Sequence, residues 1–198
     1  MDVPESPILN ITGARVALGP LRRDLVPTYQ RWLNDFAMLR TLGQSPQPMT
    51  LEQEQGWYDR AAQGGDTLSF TIYELATWTP IGNTSLMGLD WRNRTAEFGI
   101  LIGETEARGK GHGTETTSLM LDYAFTALGL HSVHLRVHEY NLAGQRAYAK
   151  AGFREFGRRR QSQLMGGRRW DTVYMDCLAT EFTSPVLGKV FVPDTPRA

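Results

Sequence analysis

Hydrophobic positions change period along this chain, and the changes mark its elements. Residues 11–18 alternate apolar and small or polar side chains, which predicts a strand, and Pro20 ends it. From residue 23 to 42 the period becomes helical. Leu25, Tyr29, Trp32, Leu33, Phe36 and Leu39 recur at three- and four-residue steps, with Asp24 near the cap and Pro27 early enough for a first turn. A proline-punctuated loop at 44–48 leads to Thr50, which with Gln53 three residues on predicts a capping box for a second helix. Gly64-Gly65 ends that helix.

Three strands then follow at 67–75, 80–89 and 97–102, with turns near 77–79 and 90–95. A helix from Thr114 carries Leu121, Ala124, Phe125 and Leu128 on one face and stops at Gly129. Residues 133–139 form the next strand. Asn141 opens a short helix whose Ala143, Ala147 and Ala151 keep one side slim, and Gly152 closes it with Phe153 folding back. Two last strands, 155–164 and 170–178, are joined through Met165-Gly166-Gly167-Arg168, a hairpin signal. Residues 1–10 read as a loose arm, and the apolar piece at 186–192 as an extended segment that docks.

Composition adds limits rather than chemistry. The chain of 198 residues suits one domain, spanning 1–198 with its core at about 11–181, and 41% hydrophobic with 21% charged residues is ordinary for a globular protein. Lys plus Arg balances Asp plus Glu, so no overall field points to nucleic acid or an acidic membrane. The sequence has no apolar run near bilayer length and no signal-peptide pattern, and Cys177 is its single cysteine. These features place the protein in a reducing cytoplasm, without a membrane partner.

The stretch with the most chemistry is Arg108-Gly109-Lys110-Gly111-His112-Gly113-Thr114, between a predicted strand and a predicted helix. Its backbone N–H groups can converge on an anion at the helix N-terminus, and glycines let a phosphate approach without a Cβ in the way. No Gly-Lys-Ser or Gly-Lys-Thr ends it, so it is not a Walker loop, and it fits the dinucleotide fingerprint poorly. It does fit Arg-x-x-Gly-x-Gly, and here the chain resembles the GNAT superfamily of N-acetyltransferases. A second segment, Asn141-Leu142-Ala143-Gly144-Gln145-Arg146-Ala147-Tyr148-Ala149-Lys150-Ala151-Gly152-Phe153, resembles that superfamily's Asn-x-x-Ala/Ser-x-x-x-Tyr-x-x-x-Gly-Phe, with Gly144 at the usual small position. Within the superfamily the chain looks most like the RimJ/RimL-like branch, on Arg15-Val16-x-Leu18, Trp32-Leu33-Asn34-Asp35, Ile81-Gly82, Gly109-x-Gly111-x-Gly113-Thr114-Glu115 and Leu121-Asp122-Tyr123-Ala124-Phe125.

The element order then reads as a single GNAT-like α/β domain. Its mixed, mostly antiparallel sheet has about seven strands, with helices on both faces. The resemblance implies a sheet that splays after the strand preceding the glycine loop, with acetyl-CoA as co-substrate in that gap. It implies cofactor contacts from the backbone of Ile100, Leu101 and Ile102, from Arg108, Gly109, Lys110, Gly111, His112, Gly113 and Thr114, and from Asn141. Tyr148 is implied as the acid that protonates the departing thiolate; a phenol, with an ordinary pKa of about 10, keeps its proton at neutral pH. Glu97 is a candidate base, or else a strand carboxylate paired with Arg92 or Arg94. Trp32, Trp57 and Trp91, with Tyr58, border the expected acceptor groove, or else belong to the core. The acceptor is a primary amine, on a small molecule or a protein N-terminus, and the protein a monomer or homodimer.

Other constellations carry less. His134 and His138 lie about 13 Å apart if on a strand, too far to share a metal ion, and no metal is expected. His112 is expected exposed above the cofactor, and Cys177 buried and inert. Arg154, Arg158, Arg159, Arg160, Arg168 and Arg169 read as a solvated hairpin face, with nucleic acid an unlikely partner. Two competing classes are a non-catalytic acyl-CoA-binding module on the same fold and a nucleic-acid-associated protein using the 154–169 hairpin.

Overall fold

A computed structural model describes residues 7–43 and 45–194; the first six residues of the expected N-terminal arm and Gln44 of the proline loop lie outside it. Among the described residues, eight strands form one sheet in the order β1-β2-β3-β4-β5-β6-β8-β7. They are β1 (Ile11–Thr12), β2 (Val16–Pro20), β3 (Leu68–Glu74), β4 (Thr79–Asp90), β5 (Thr95–Ile102), β6 (Ser132–His138), β7 (Arg154–Met165) and β8 (Arg168–Leu178). All neighbours run antiparallel except β5 and β6. The count exceeds the expected seven because residues 11–18 fold as a hairpin: the chain reverses at Gly13, whose N–H bonds the Val16 carbonyl at 2.9 Å.

The helices cover the two faces unequally. One face holds α1 (Val26–Leu33), α2 (Phe36–Leu39) and α3 (Leu51–Ala62), which enclose Val26, Tyr29, Trp32, Met38 and Leu39 and touch the sheet through Leu101. The other holds α4 (His112–Asp122) and α5 (Leu142–Ala151), over the larger core of Ile72, Leu86, Phe98, Leu119, Leu121, Leu135 and Val173. Three-residue turns of 3₁₀ type sit at Arg23–Leu25 and Thr105–Ala107.

Two expected helices are corrected. The long helix over 23–42 is broken at Asp35, which leaves helical geometry and accepts a hydrogen bond from Ala37 N, so a new short helix starts there. The helix expected from Thr114 begins at His112 and loosens after Asp122 into a π-helical turn, Tyr123–Ala127, closed by Leu128 N to the Tyr123 carbonyl at 3.1 Å. Buried Asp122 accepts from Thr126 Oγ1 there. It also accepts from Val186 N and Leu187 N at 2.9 and 2.8 Å, and so ties down the tail. The tail is therefore a 3₁₀ turn over Leu187–Lys189 with Leu187 buried, while Val190, Phe191 and Val192 stay exposed. The capping box at Thr50 and Gln53 forms as the pattern predicts, and so does the left-handed Gly152 stop.

No helix among the described residues is long and apolar enough to cross a membrane.

Candidate active site

The sheet opens where β5 meets β6. Their parallel ladder holds only Thr95, Ala96 and Glu97 against Ser132, Val133 and His134, and the strands part beyond it. On its other side β5 stays paired with β4 up to Ile102. Residues 98–102 thus line one wall of a fork, as the resemblance implied. Alternation sends Phe98, Ile100 and Ile102 toward the α4 face, and Glu97 and Leu101 toward the α1 face.

The glycine loop closes the open end of this fork. Gly109 and Gly111 have φ of 74° and 88°, while Lys110 between them is not left-handed. Alternating hands of this kind point successive N–H groups into one concavity. Gly111 then serves as the N-cap of α4, and no side chain caps the helix, which leaves its first N–H groups to a ligand. Arg108 turns away from that concavity: its guanidinium donates to the Ile102 and Gly103 carbonyls, both at 3.1 Å, and fixes the end of β5. His112 departs from its expected exposed position. It is 5% exposed and faces backward, with Nε2 3.6 Å from Glu74.

Tyr148 reaches the fork from α5. Its ring lies edge-on to Phe98 with centroids 6.1 Å apart and also touches Phe153. Burial pushes its hydroxyl up to about 12, so it stays a neutral donor. The short helix carrying it is set by Asn141, whose Oδ1 accepts from Gly144 N at 3.0 Å. A side chain at Gly144 would strike the Asn141 amide 2.7 Å away, which accounts for glycine at that small position.

Glu97 sits at the closed end of the fork on the opposite face from the Tyr148 ring. Its partner is Arg136 of β6, at 2.7 Å, rather than Arg92 or Arg94. Sequence reasoning missed Arg136 because the β5–β6 register is set by tertiary pairing. Of the three tryptophans, Trp32 is 1% exposed and its indole N–H bonds Glu104, so it presents no ring to an acceptor. Trp57 packs edge-on against Tyr29. Trp91 is exposed in the β4–β5 turn, beyond the closed end of the fork.

His138 bonds the Leu42 carbonyl and stacks on Tyr140, and among the described residues no group of three potential ligands converges. In the arginine hairpin, Arg158 pairs with Glu155 and Glu139, and Arg154 with Glu181. Cys177 is 1% exposed, and burial lifts its thiol to about 11, far from a reactive thiolate. Cys177→Ala is accordingly expected to leave turnover within about twofold, since amine and thioester held together need no acyl-enzyme. Intact-mass analysis after exposure to acetyl-CoA alone checks this; an acetyl adduct on Cys177 would refute it.

Comparison with known proteins gives the family. A family model described as "Acetyltransferase (GNAT) domain" matches residues 15–154. The human alpha/beta-tubulin-N-acetyltransferase 9 is 27% identical over 73% of this chain and 75% of its own length. Spermidine N(1)-acetyltransferase of Vibrio cholerae is 33% identical over 56% of this chain and 64% of its own length. A crystal structure of spermidine N-acetyltransferase from Vibrio cholerae, in complex with CoA and spermine, superposes with a TM-score of 0.78, covering 85% of this chain and 98% of that one at 24% identity. A domain match over most of the chain is more than likeness: this chain belongs to the GNAT acetyltransferases, and it is an N-acetyltransferase that takes its acetyl group from acetyl-CoA and delivers it to an amine.

Proposed function

We propose that this enzyme acetylates the α-amine of a peptide or protein N-terminus, by direct attack in a ternary complex. The observation that carries the reading is the placement of two groups on opposite faces of the fork, Tyr148 on the α5 side and Glu97 on the α1 side. A thioester carbonyl lying between β5 and β6 would meet its nucleophile from one face and release its thiol on the other. Those backbone N–H groups of residues 100–102 that point away from β4 would polarise that carbonyl, a type of interaction worth about 2.7–4 kcal/mol in other enzymes. Glu97 would take the ammonium proton, directly or through water, and Tyr148 would give its proton to the leaving sulfur. The concavity at residues 109–114 would hold the diphosphate, and Asn141 the pantetheine arm.

The choice of a single ammonium rests on charge. Two carboxylates near the fork are matched by arginines, Glu97 by Arg136 and Glu104 by Arg31, so neither is left to hold a second ammonium. Placement in the RimJ/RimL-like branch rests on Arg15-Val16-x-Leu18, Trp32-Leu33-Asn34-Asp35 and Gly109-x-Gly111-x-Gly113-Thr114-Glu115. The cytoplasmic assignment rests on the lone thiol of Cys177.

An acceptor screen tests the proposal. With acetyl-CoA and a panel of N-terminal peptides, spermidine, spermine and lysine side-chain analogues, mass detection should find acetylated peptide α-amine and stoichiometric free CoA. Higher kcat/KM on spermidine than on every peptide would replace the acceptor. CoA binding without thiol release on any amine would leave a non-catalytic module.

A further inference from the structure

Arg15 and Glu115 belong to the segments that carry the family likeness, yet neither has a part in the chemistry above. The structure places them together, behind the glycine loop. Arg15 Nη1 donates to the Lys110 carbonyl at 3.1 Å. Peptide bonds are trans throughout the described residues, so the N–H of Gly111 points opposite to that carbonyl, away from Arg15. That direction is the concave side, where the first N–H groups of α4 also open. Arg15 therefore holds the 110–111 peptide with its donor facing the ligand side.

The arginine is itself held from two directions. Glu115 Oε1 accepts from the backbone N–H groups of Ala14 and Arg15, the second at 3.1 Å. The Arg15 carbonyl accepts from Leu75 N at 2.9 Å. Gly111 makes room for the guanidinium, since a Cβ there would lie 2.6 Å from Arg15 Nη1. Glycine at this position thus answers two demands, a left-handed φ and the approach of Arg15.

We propose that Arg15, anchored by Glu115, is a positioning residue that presets the Gly111 N–H for the diphosphate of the acyl donor. This rests on the reading of residues 109–114 as the diphosphate loop. Its signature is selectivity between donors. S-acetylpantetheine has the same thioester and arm as acetyl-CoA but no diphosphate, so it does not use the preset donor.

The experiment compares wild type with Arg15→Ala. The Kd of CoA is measured by calorimetry, and kcat/KM with acetyl-CoA and with S-acetylpantetheine. The variant should bind CoA about tenfold more weakly, the scale of one charge-assisted hydrogen bond, and keep its rate on S-acetylpantetheine within twofold. The ratio of the two CoA affinities should hold from low to high salt, because the arginine acts on a neutral carbonyl. Unchanged CoA affinity overturns the proposal, as does an equal loss on both donors. A ratio that collapses with salt overturns it too, since the guanidinium would then act on the phosphates directly. Wild type that gains nothing from the diphosphate would instead refute the loop reading. Should Arg15→Ala fail to fold, Glu115→Gln is the second variant, with the same donor-selective loss at smaller size.

Discussion

Replacing Tyr148 with phenylalanine is expected to lower kcat by about 10²–10⁴-fold while CoA affinity holds, the range for loss of a general acid. The substitution keeps the ring against Phe98 and Phe153 and removes only the hydroxyl. Expulsion of a thiolate is the step that hydroxyl would ease, so kcat and kcat/KM should fall together, as for an interaction made chiefly in the transition state. Burial pushes the hydroxyl up to about 12, so the wild-type donor stays protonated and the deficit should be level between pH 6 and 9. It should shrink with a donor whose thiol is more acidic, since a better leaving group needs less help. Single-turnover kinetics, in which chemistry is isolated from product release, make the measurement. A phenylalanine variant with wild-type single-turnover rates would make Tyr148 a packing residue and leave protonation to water.

Glu54 is expected to make the protein less stable as pH rises from about 4.5 to 7. Its side chain lies in the first turns of α3, is 2% exposed, and has a buried Oε2 without a hydrogen-bond partner. Burial raises its carboxyl to about 7 from 4.5. Between those values the folded chain binds a proton that the unfolded chain has already lost. Stability is therefore fully present below about 4.5, declines through the interval, and levels off above 7, with a total loss on the order of 3 kcal/mol. Glu54→Gln keeps the shape without the charge and should flatten this dependence. For a chain of this size it should raise Tm by roughly 5–10 °C at pH 8 and little at pH 5. Calorimetric unfolding of both proteins at the two pH values decides it. An equal Tm difference at both would show that Glu54 is not the titrating group.

These two residues differ in how readily sequence revealed them. Tyr148 stands in a spaced motif with Asn141 and Gly152, and every part of that motif is local: a cap, one helical face and a left-handed stop. Glu54 offers no such sign. Nothing in Leu51-Glu52-Gln53-Glu54 distinguishes the carboxylate that α1 and the sheet bury from the one that faces water. A helix places residues around its axis, but only its packing partner decides which side goes dark.

The same boundary runs through the rest of the molecule. Sequence alone determined that a strand, a glycine loop and a helix follow one another from residue 97 onward, because glycines and two hydrophobic periods are written in consecutive residues, while the start of the helix at His112 and its π-helical end came from the structure. It also determined the capping box at Thr50 and the hairpin at Gly166-Gly167, which depend on neighbours a few positions away. Tertiary structure decided that Glu97 pairs with Arg136, that His112 turns inward to Glu74, and that Arg15 reaches Lys110. Those pairs are separated by 39, 38 and 95 positions, and each depends on strand register or helix docking that no local pattern encodes. Trp32 shows the limit most simply. Its helical spacing fits a groove wall and a core equally well, and it is core because α1 lies on β5 with Glu104 in reach of the indole N–H.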